Sequence, residues 1–552
     1  MILRRLYLYL VSAASLVLLA GGLAALGATL MLFVFNDPSA DSSRGQLAVF
    51  AAMTIVALPV WGVHFWFGRR FAMRDPFERA SALRRLYVYF ACLVMALAAM
   101  VALQFTLVQL LAPVFDNQSF NAEVTSQLGW ATLVLAAIFA GHFYIALSDR
   151  KAAGEEGASA TLRRWYMYIA LIVGLLTMLS GAASLLQLGW TRLVAPAPAL
   201  GVVLSVPIAV TLSGGVLWGF HARAIATMHL AQDRHSTLRA VEGFMAVAVS
   251  IALALFGASL ILYYIVARLL GVTNPGGAGN NVLEAAAGPG SQALVYGVAW
   301  FLIQRRLERD AGTQEADRQA GVRRLYTNLV SLVSLAAWAV GLGGLLWTLA
   351  EQVEAQIIGV TASDWKDPVS RSVTLLVVGA AVWVAHWRPA PWAADRQSLA
   401  RKLYVWAALL ASVLAVLGAG VGMVSALLQQ LLAVHPKLAD RANLDIGHYL
   451  AVVVVAAAVG FYHWRVLRAD AAARPPRAAA PAPAEAVKQV ASTATATPMS
   501  AAADGEVLDT HARRYTLVVH DASDDDVHQA LASLPPQASY KLTPVEERVD
   551  GR

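Results

Sequence analysis

Apolar runs of roughly 20 residues or more recur along most of this chain. A run of that length matches the hydrocarbon core of a bilayer, about 30 Å thick. Inside lipid the backbone must satisfy its own hydrogen bonds, which leaves helices or a closed barrel. Barrel strands are excluded, because they need only about 9–11 residues and alternate in polarity, whereas these runs are longer and uniformly apolar. Composition agrees: 58% of the 552 residues are hydrophobic and 14% are charged, against about 25% charged in soluble domains. The fold class that follows is an all-α polytopic membrane protein.

Nearly the same six letters precede many of these runs. "RRLYLY" begins at Arg4, "RRLYVY" at Arg84, "RRWYMY" at Arg163, "RRLYTN" at Arg323 and "RKLYVW" at Arg401. The spacings are 80, 79, 160 and 78, so one copy is missing from the wide gap. A worn version, "LRAVEGF", fills it, with Arg239 in the first arginine's place and Glu242 in the tyrosine's. The motif set is Arg4, Arg5 and Tyr7; Arg84, Arg85 and Tyr87; Arg163, Arg164 and Tyr166; Arg323, Arg324 and Tyr326; and Arg401, Lys402 and Tyr404.

A second mark closes each unit: an aromatic-flanked histidine at His64, His142, His221, His386 and His463. In the fourth unit Ala299 stands where the histidine would be. Each unit therefore reads as motif, apolar run, short polar stretch, apolar run, histidine, basic loop. Fixed-period self-similarity of this kind marks a repeat architecture. Six units of two runs predict twelve membrane helices, at 6–35, 47–68, 86–115, 128–148, 165–188, 199–225, 241–270, 291–306, 325–350, 371–388, 403–433 and 447–467. The hairpin units run 1–79, 80–158, 159–234, 235–318, 319–396 and 397–470.

Lys and Arg placement orients the array. The N-terminus, the loops after even helices and the stretch after the last helix carry 29, and the loops after odd helices carry seven. The positive-inside rule then places both termini in the cytoplasm, as expected for a multi-pass protein of the inner or plasma membrane. The first run is not read as a signal peptide. It is about 30 residues, longer than an h-region of about 7–15, and its leading motif recurs internally. The net charge of +7 belongs to membrane-flanking residues, so membrane lipids rather than nucleic acid are the expected partner. Cys92 is the single cysteine and cannot form an intrachain disulfide.

Beyond Asp470 the composition changes. Residues 471–512 read as an Ala/Pro-rich linker. Residues 513–552 read as a small β-α-β appendage, available to a protein partner on the cytoplasmic side. Its "HDASDDD" is better read as a solvated helix start than as a cation site.

The repeated "RRLYLYL" heading paired apolar runs resembles DUF5671, a family of bacterial integral membrane proteins without an assigned function. The resemblance extends from Arg4 to about Arg468, and the fourth unit departs from it at Ala240, Glu242 and Ala299. It implies tandem copies of a membrane module, and brings no activity, cofactor or catalytic residue.

Physically, two cations followed by tyrosine at a helix start fit the positive-inside rule and the aromatic belt, with the cations beside anionic headgroups. A sharper alternative is an anionic-headgroup cradle made from several arginine pairs. The histidines return to the same depth as the tyrosines. A Tyr–His hydrogen bond linking the two helices of a hairpin is therefore expected, and the fourth unit lacks both partners. Haem ligation is the rival use of five membrane histidines, but they recur once per hairpin near the surface, and no C-x-x-C-H occurs. No Walker loop, H-E-x-x-H or G-x-S-x-G is present. No cofactor, metal or catalytic residue is expected. The reading is a non-enzymatic scaffold, assembly or sensory component; the alternative is a transporter or channel for a small solute.

Overall fold

A computed structural model describes residues 2–194, 204–234, 236–279, 281–311, 317–359, 361, 363–387, 396–432 and 436–473. Among them there is no strand. Residues 474–552, which hold nearly all of the expected linker and the whole expected β-α-β segment, lie outside the described residues.

Twelve long helices follow one another among the described residues. They are α1 (Ile2–Val34), α2 (Arg44–Arg74), α3 (Ala82–Phe115), α4 (Ala122–Ala153), α5 (Gly157–Val194) and α6 (Ser205–Asp233), then α7 (Thr237–Leu269), α8 (Ala287–Ala311), α9 (Asp317–Ile358), α10 (Lys366–His386), α11 (Leu399–Leu431) and α12 (Pro436–Ala472). Local chemistry sets several ends. The Asn121 side chain accepts from the backbone N–H of Val124 and caps α4, and the Ser236 hydroxyl accepts from Arg239 N–H and caps α7. Gly154, at φ 67°, ends α4 in a conformation that glycine reaches without steric cost.

Eleven of these helices are long and apolar enough to cross a membrane, where twelve were expected. The exception is α8. It packs along α7 as the second arm of a hairpin, but it opens on Gly288, Pro289, Gly290, Ser291 and Gln292 and closes on Gln304, Arg305 and Arg306. Its apolar stretch is correspondingly short. Eleven apolar helices make the chain a multi-pass membrane protein.

The helices pair in sequence: α1 with α2, α3 with α4, and so on to α11 with α12. Small residues let the pairs close. A Cβ built on Gly174 of α5 would lie 2.6 Å from the backbone nitrogen of Trp218 in α6, and one on Gly214 of α6 would lie 2.4 Å from that of Met178. The "LSGG" at Leu212 to Gly215 is thus a packing point within an unbroken helix, and α2 likewise runs through Pro59.

Between hairpins one rule holds. Each odd helix packs on the even helix of the next hairpin: α1 on α4, α3 on α6, α5 on α8, α7 on α10 and α9 on α12. Successive odd helices also touch. Substantial contacts among the described residues run only within a hairpin or to the next one, as in a solenoid. Polar ties fasten several junctions away from the motif. The Asp116 carboxylate after α3 accepts from the N–H groups of Leu204 (2.6 Å) and Ser205 at the start of α6. The Tyr263 hydroxyl of α7 donates to Asp367 of α10 at 2.5 Å. Glu354 of α9 accepts from Gly447 N–H of α12 at 2.7 Å.

Candidate functional site

The residues the sequence marks meet at one face of the array, where odd helices begin and even helices end. The histidines come first. Each ring nitrogen Nδ1 lies on the carbonyl one turn back: His64 on Val60 (2.7 Å), His142 on Ile138 (2.9 Å), His221 on Leu217 (2.8 Å), His386 on Val382 (2.9 Å) and His463 on Val459 (2.8 Å). A carbonyl can only accept, so Nδ1 carries a proton, which leaves Nε2 as the nitrogen able to accept a hydrogen bond.

The motif tyrosine donates its hydroxyl hydrogen to Nε2. The hydroxyls of Tyr87, Tyr166 and Tyr404 lie 3.0, 2.9 and 2.9 Å from Nε2 of His142, His221 and His463. Tyr7 and His64 are 3.3 Å apart, and Tyr7 is exposed. Tyr326 and His386 meet as rings, edge to face with centroids 6.1 Å apart. The nitrogen that would ligate haem iron is therefore occupied by a hydroxyl in four hairpins. Two tyrosines also receive a bond from the preceding hairpin, through a tryptophan three residues before its histidine. Trp61 Nε1 donates to Tyr87 at 3.0 Å and Trp383 Nε1 to Tyr404 at 2.9 Å.

The arginines are placed differently from the expectation. Arg84, Arg85 and Arg163 are buried and do not face headgroups. In four of the five motifs an arginine instead finds an acid at or just beyond the end of its even helix. Arg5 Nε is 2.8 Å from Glu78, Arg84 Nε is 2.6 Å from Asp149, and Arg401 Nε is 2.7 Å from Asp470. Arg163 grips Asp233 through both terminal nitrogens at 2.8 Å, and Arg164 Nε adds a third bond at 2.8 Å. Arg4 remains half-exposed, 3.7 Å from Glu78. Arg323 is exposed, and Arg324 and Lys402 are half-buried.

The second tyrosine of the motif also donates to an acid, the same one in the first and third hairpins. Tyr9 donates to Glu78 at 3.1 Å and Tyr168 to Asp233 at 3.1 Å, while Tyr89 donates to Glu155. Glu155 also sits 2.7 Å from Arg163 Nε and 3.9 Å from Arg85, so it bridges the second hairpin to the third. A buried charge survives only when paired and hydrogen-bonded, and these acids supply that condition.

The sequence reading missed the acids because their distance from the histidine varies. Asp149 and Asp470 follow theirs by seven residues, Asp310 follows Ala299 by 11, and Asp233 follows His221 by 12. At about 100° per residue, seven and 11 return to the same face within about 20°. Twelve would miss it by about 120°. The structure corrects this with a π-helical turn at Ile225–His229 in α6, which absorbs the surplus residue.

The fourth hairpin keeps the arrangement with other residues. Arg239 pairs with Asp310 (Nε at 2.8 Å). Glu242, buried in the tyrosine's place, accepts from Arg306 of α8 at 2.5 Å. An ion pair there substitutes for the Tyr–His bond.

No curated protein and no solved structure matches the chain. The profile of one family, described as a domain of unknown function (DUF5671), matches three times, over residues 5–138, 164–289 and 324–458. Each match begins at a motif and reaches into a second hairpin, so the first, third and fifth hairpins hold equivalent positions, as do the second, fourth and sixth. These matches cover most of the sequence, and the chain belongs to the DUF5671 family in tandem copies.

Proposed function

We propose that this protein is a non-enzymatic membrane scaffold, an assembly or sensory component that carries its C-terminal segment on the cytoplasmic side. One observation carries the reading: the charged and polar side chains of the repeat motif are largely spent on one another. Arginine meets acid, tyrosine meets histidine, and the bonds join helices of one hairpin or of adjacent hairpins. A transport site would hold such groups open toward a permeating solute. Interhelical polar bonds in lipid instead fix geometry, each worth about 0.6–1.7 kcal/mol. The excess of Lys and Arg on the motif face supports a cytoplasmic position for it. Lipids around the apolar helices and a protein partner for residues 478–552 complete the proposal.

The test reconstitutes the purified full chain into liposomes loaded with ions and small neutral and charged solutes. Leakage at the rate of protein-free liposomes is expected. Protein-dependent, saturable flux of any one solute overturns the scaffold reading. In cell membranes, photo-crosslinkers placed along residues 478–552 should capture one defined neighbour, and capture of lipid alone removes the partner from the proposal.

A further inference from the structure

The array has two unlike ends. In the first three hairpins the odd helix hides the residues five, 12 and 16 positions after its first motif arginine. Tyr9, Leu16 and Ala20 of α1 are buried, as are Tyr89, Ala96 and Met100 of α3 and Tyr168, Leu175 and Leu179 of α5. Among the described residues no further hairpin packs on the last odd helix, α11. Its Trp406, Val413 and Leu417 are 58%, 53% and 58% exposed.

The even helices show the complementary pattern, on a ladder stepping back from the histidine one turn at a time. In α12 the ladder Ala451, Val455, Val459, His463 is 5%, 7%, 8% and 0% exposed, because α9 covers it. In α6 the ladder Ala209, Ser213, Leu217, His221 is equally buried under α3. The first even helix, α2, carries Ala52, Val56, Val60, His64, the same residue types as α12 in the same order. Among the described residues no odd helix of another hairpin packs on this ladder, and Val56 and Val60 are 63% and 37% exposed, with Tyr7 beside His64 59% exposed.

We infer that the two ends are halves of one interface, and that α11 of one copy docks on α2 of a second copy, head to tail in the membrane plane. Three observations select a second copy as the occupant. The threefold family match makes α11 equivalent to α3 and α7, and α2 equivalent to α6 and α10. The α3–α6 and α7–α10 junctions already exist inside the chain, so α11–α2 continues an established interface. Every hairpin enters and leaves on the motif face, so an added copy keeps its membrane orientation. Lipid alone would satisfy an apolar stripe, because water drives no association between helices in a bilayer. What selects a helix over lipid is the matched ladder, whose Ala-Val-Val-His face packs against an odd helix in α12. Such a heterologous contact builds an open row or, if it closes, a ring.

Helix rise at about 1.5 Å per residue sets Val413 and Val56 at similar depths below the motif face. The test begins with Cys92→Ser, which removes the single native thiol. Val56→Cys and Val413→Cys are placed in separately tagged full-length chains. These are expressed together and alone, then oxidised in native membranes. A disulfide-linked dimer carrying both tags is expected from co-expression, with none from either variant alone. Val384→Cys, on the exposed side of α10, replaces Val56→Cys in the control and should give no dimer. A dimer from Val413→Cys alone would mean α11 meets α11, and overturns the proposal. So does a co-expressed yield no greater than that of the control. Both sites are exposed, and unchanged membrane levels and melting of each variant verify that the fold is intact.

Discussion

The third and fourth hairpins solve one problem with different chemistry. In the third, Tyr166 donates to His221 at 2.9 Å, a neutral bond with both residues buried. In the fourth, Glu242 takes the tyrosine's place, Ala299 takes the histidine's, and Arg306, seven residues further along α8, completes a salt bridge at 2.5 Å. Both keep the arginine–acid pair, Arg163 with Asp233 and Arg239 with Asp310. What persists is a polar tie between the start of the odd helix and the end of the even one. The imidazole is one way of making it. A hairpin whose histidine was needed for chemistry could not have dropped it without losing that chemistry.

The comparison can be broken most severely at the shared pair. Asp233→Asn leaves Arg163 with Glu155 alone and Arg164 without its acid, inside the protein. Removing one partner of a buried pair should cost about 3–5 kcal/mol, read as a large drop in detergent melting temperature. Arg306→Gln should cost slightly less, about 3 kcal/mol, because it strands the buried Glu242. If the two variants melt like the parent, the ties are ornamental.

Overpacking comes next. Gly214→Leu drives a side chain into the α5 backbone at Met178. A loss of about 1–3 kcal/mol is expected, with no such loss at Gly219, which has open space at its Cβ position. The neutral tie is weaker. His142→Ala should lower stability by about 1 kcal/mol, and an unchanged melting curve would show that the Tyr87–His142 bond does not hold its hairpin. Smallest of all is the exchange Glu242→Tyr with Ala299→His. It should leave stability within about 1 kcal/mol of the parent, since Arg306 is partly exposed and can reach water. A collapse of the double variant would mean that the fourth hairpin depends on its charge.

Much of this was legible before any coordinates. The period, the pairing of runs and the Tyr–His partners follow from residue type and spacing alone. Two things were not. The acids were hidden because Asp149, Asp233 and Asp310 stand at three different distances from the histidine position, and an acid at a helix end looks like an ordinary solvated residue. With the acids concealed, the sequence points the arginines at headgroups, whereas Arg85 and Arg163 are among the most buried large side chains. The expected twelve and the eleven apolar helices differ at α8 for another reason. Repeat logic demanded a membrane helix there, and local composition, from Gly288 to Gln292, had drifted away from one.

The wide turn at Ile225–His229 has a consequence for how such a chain can change. In a regular helix a one-residue insertion rotates everything beyond it, and Asp233 would swing out of reach of Arg163. Here the surplus is stored where it lies, as a local widening, and both ends stay in phase. Length and angular phase are separable in this array, so its helices can gain a residue between two fixed contacts without either contact being rewritten.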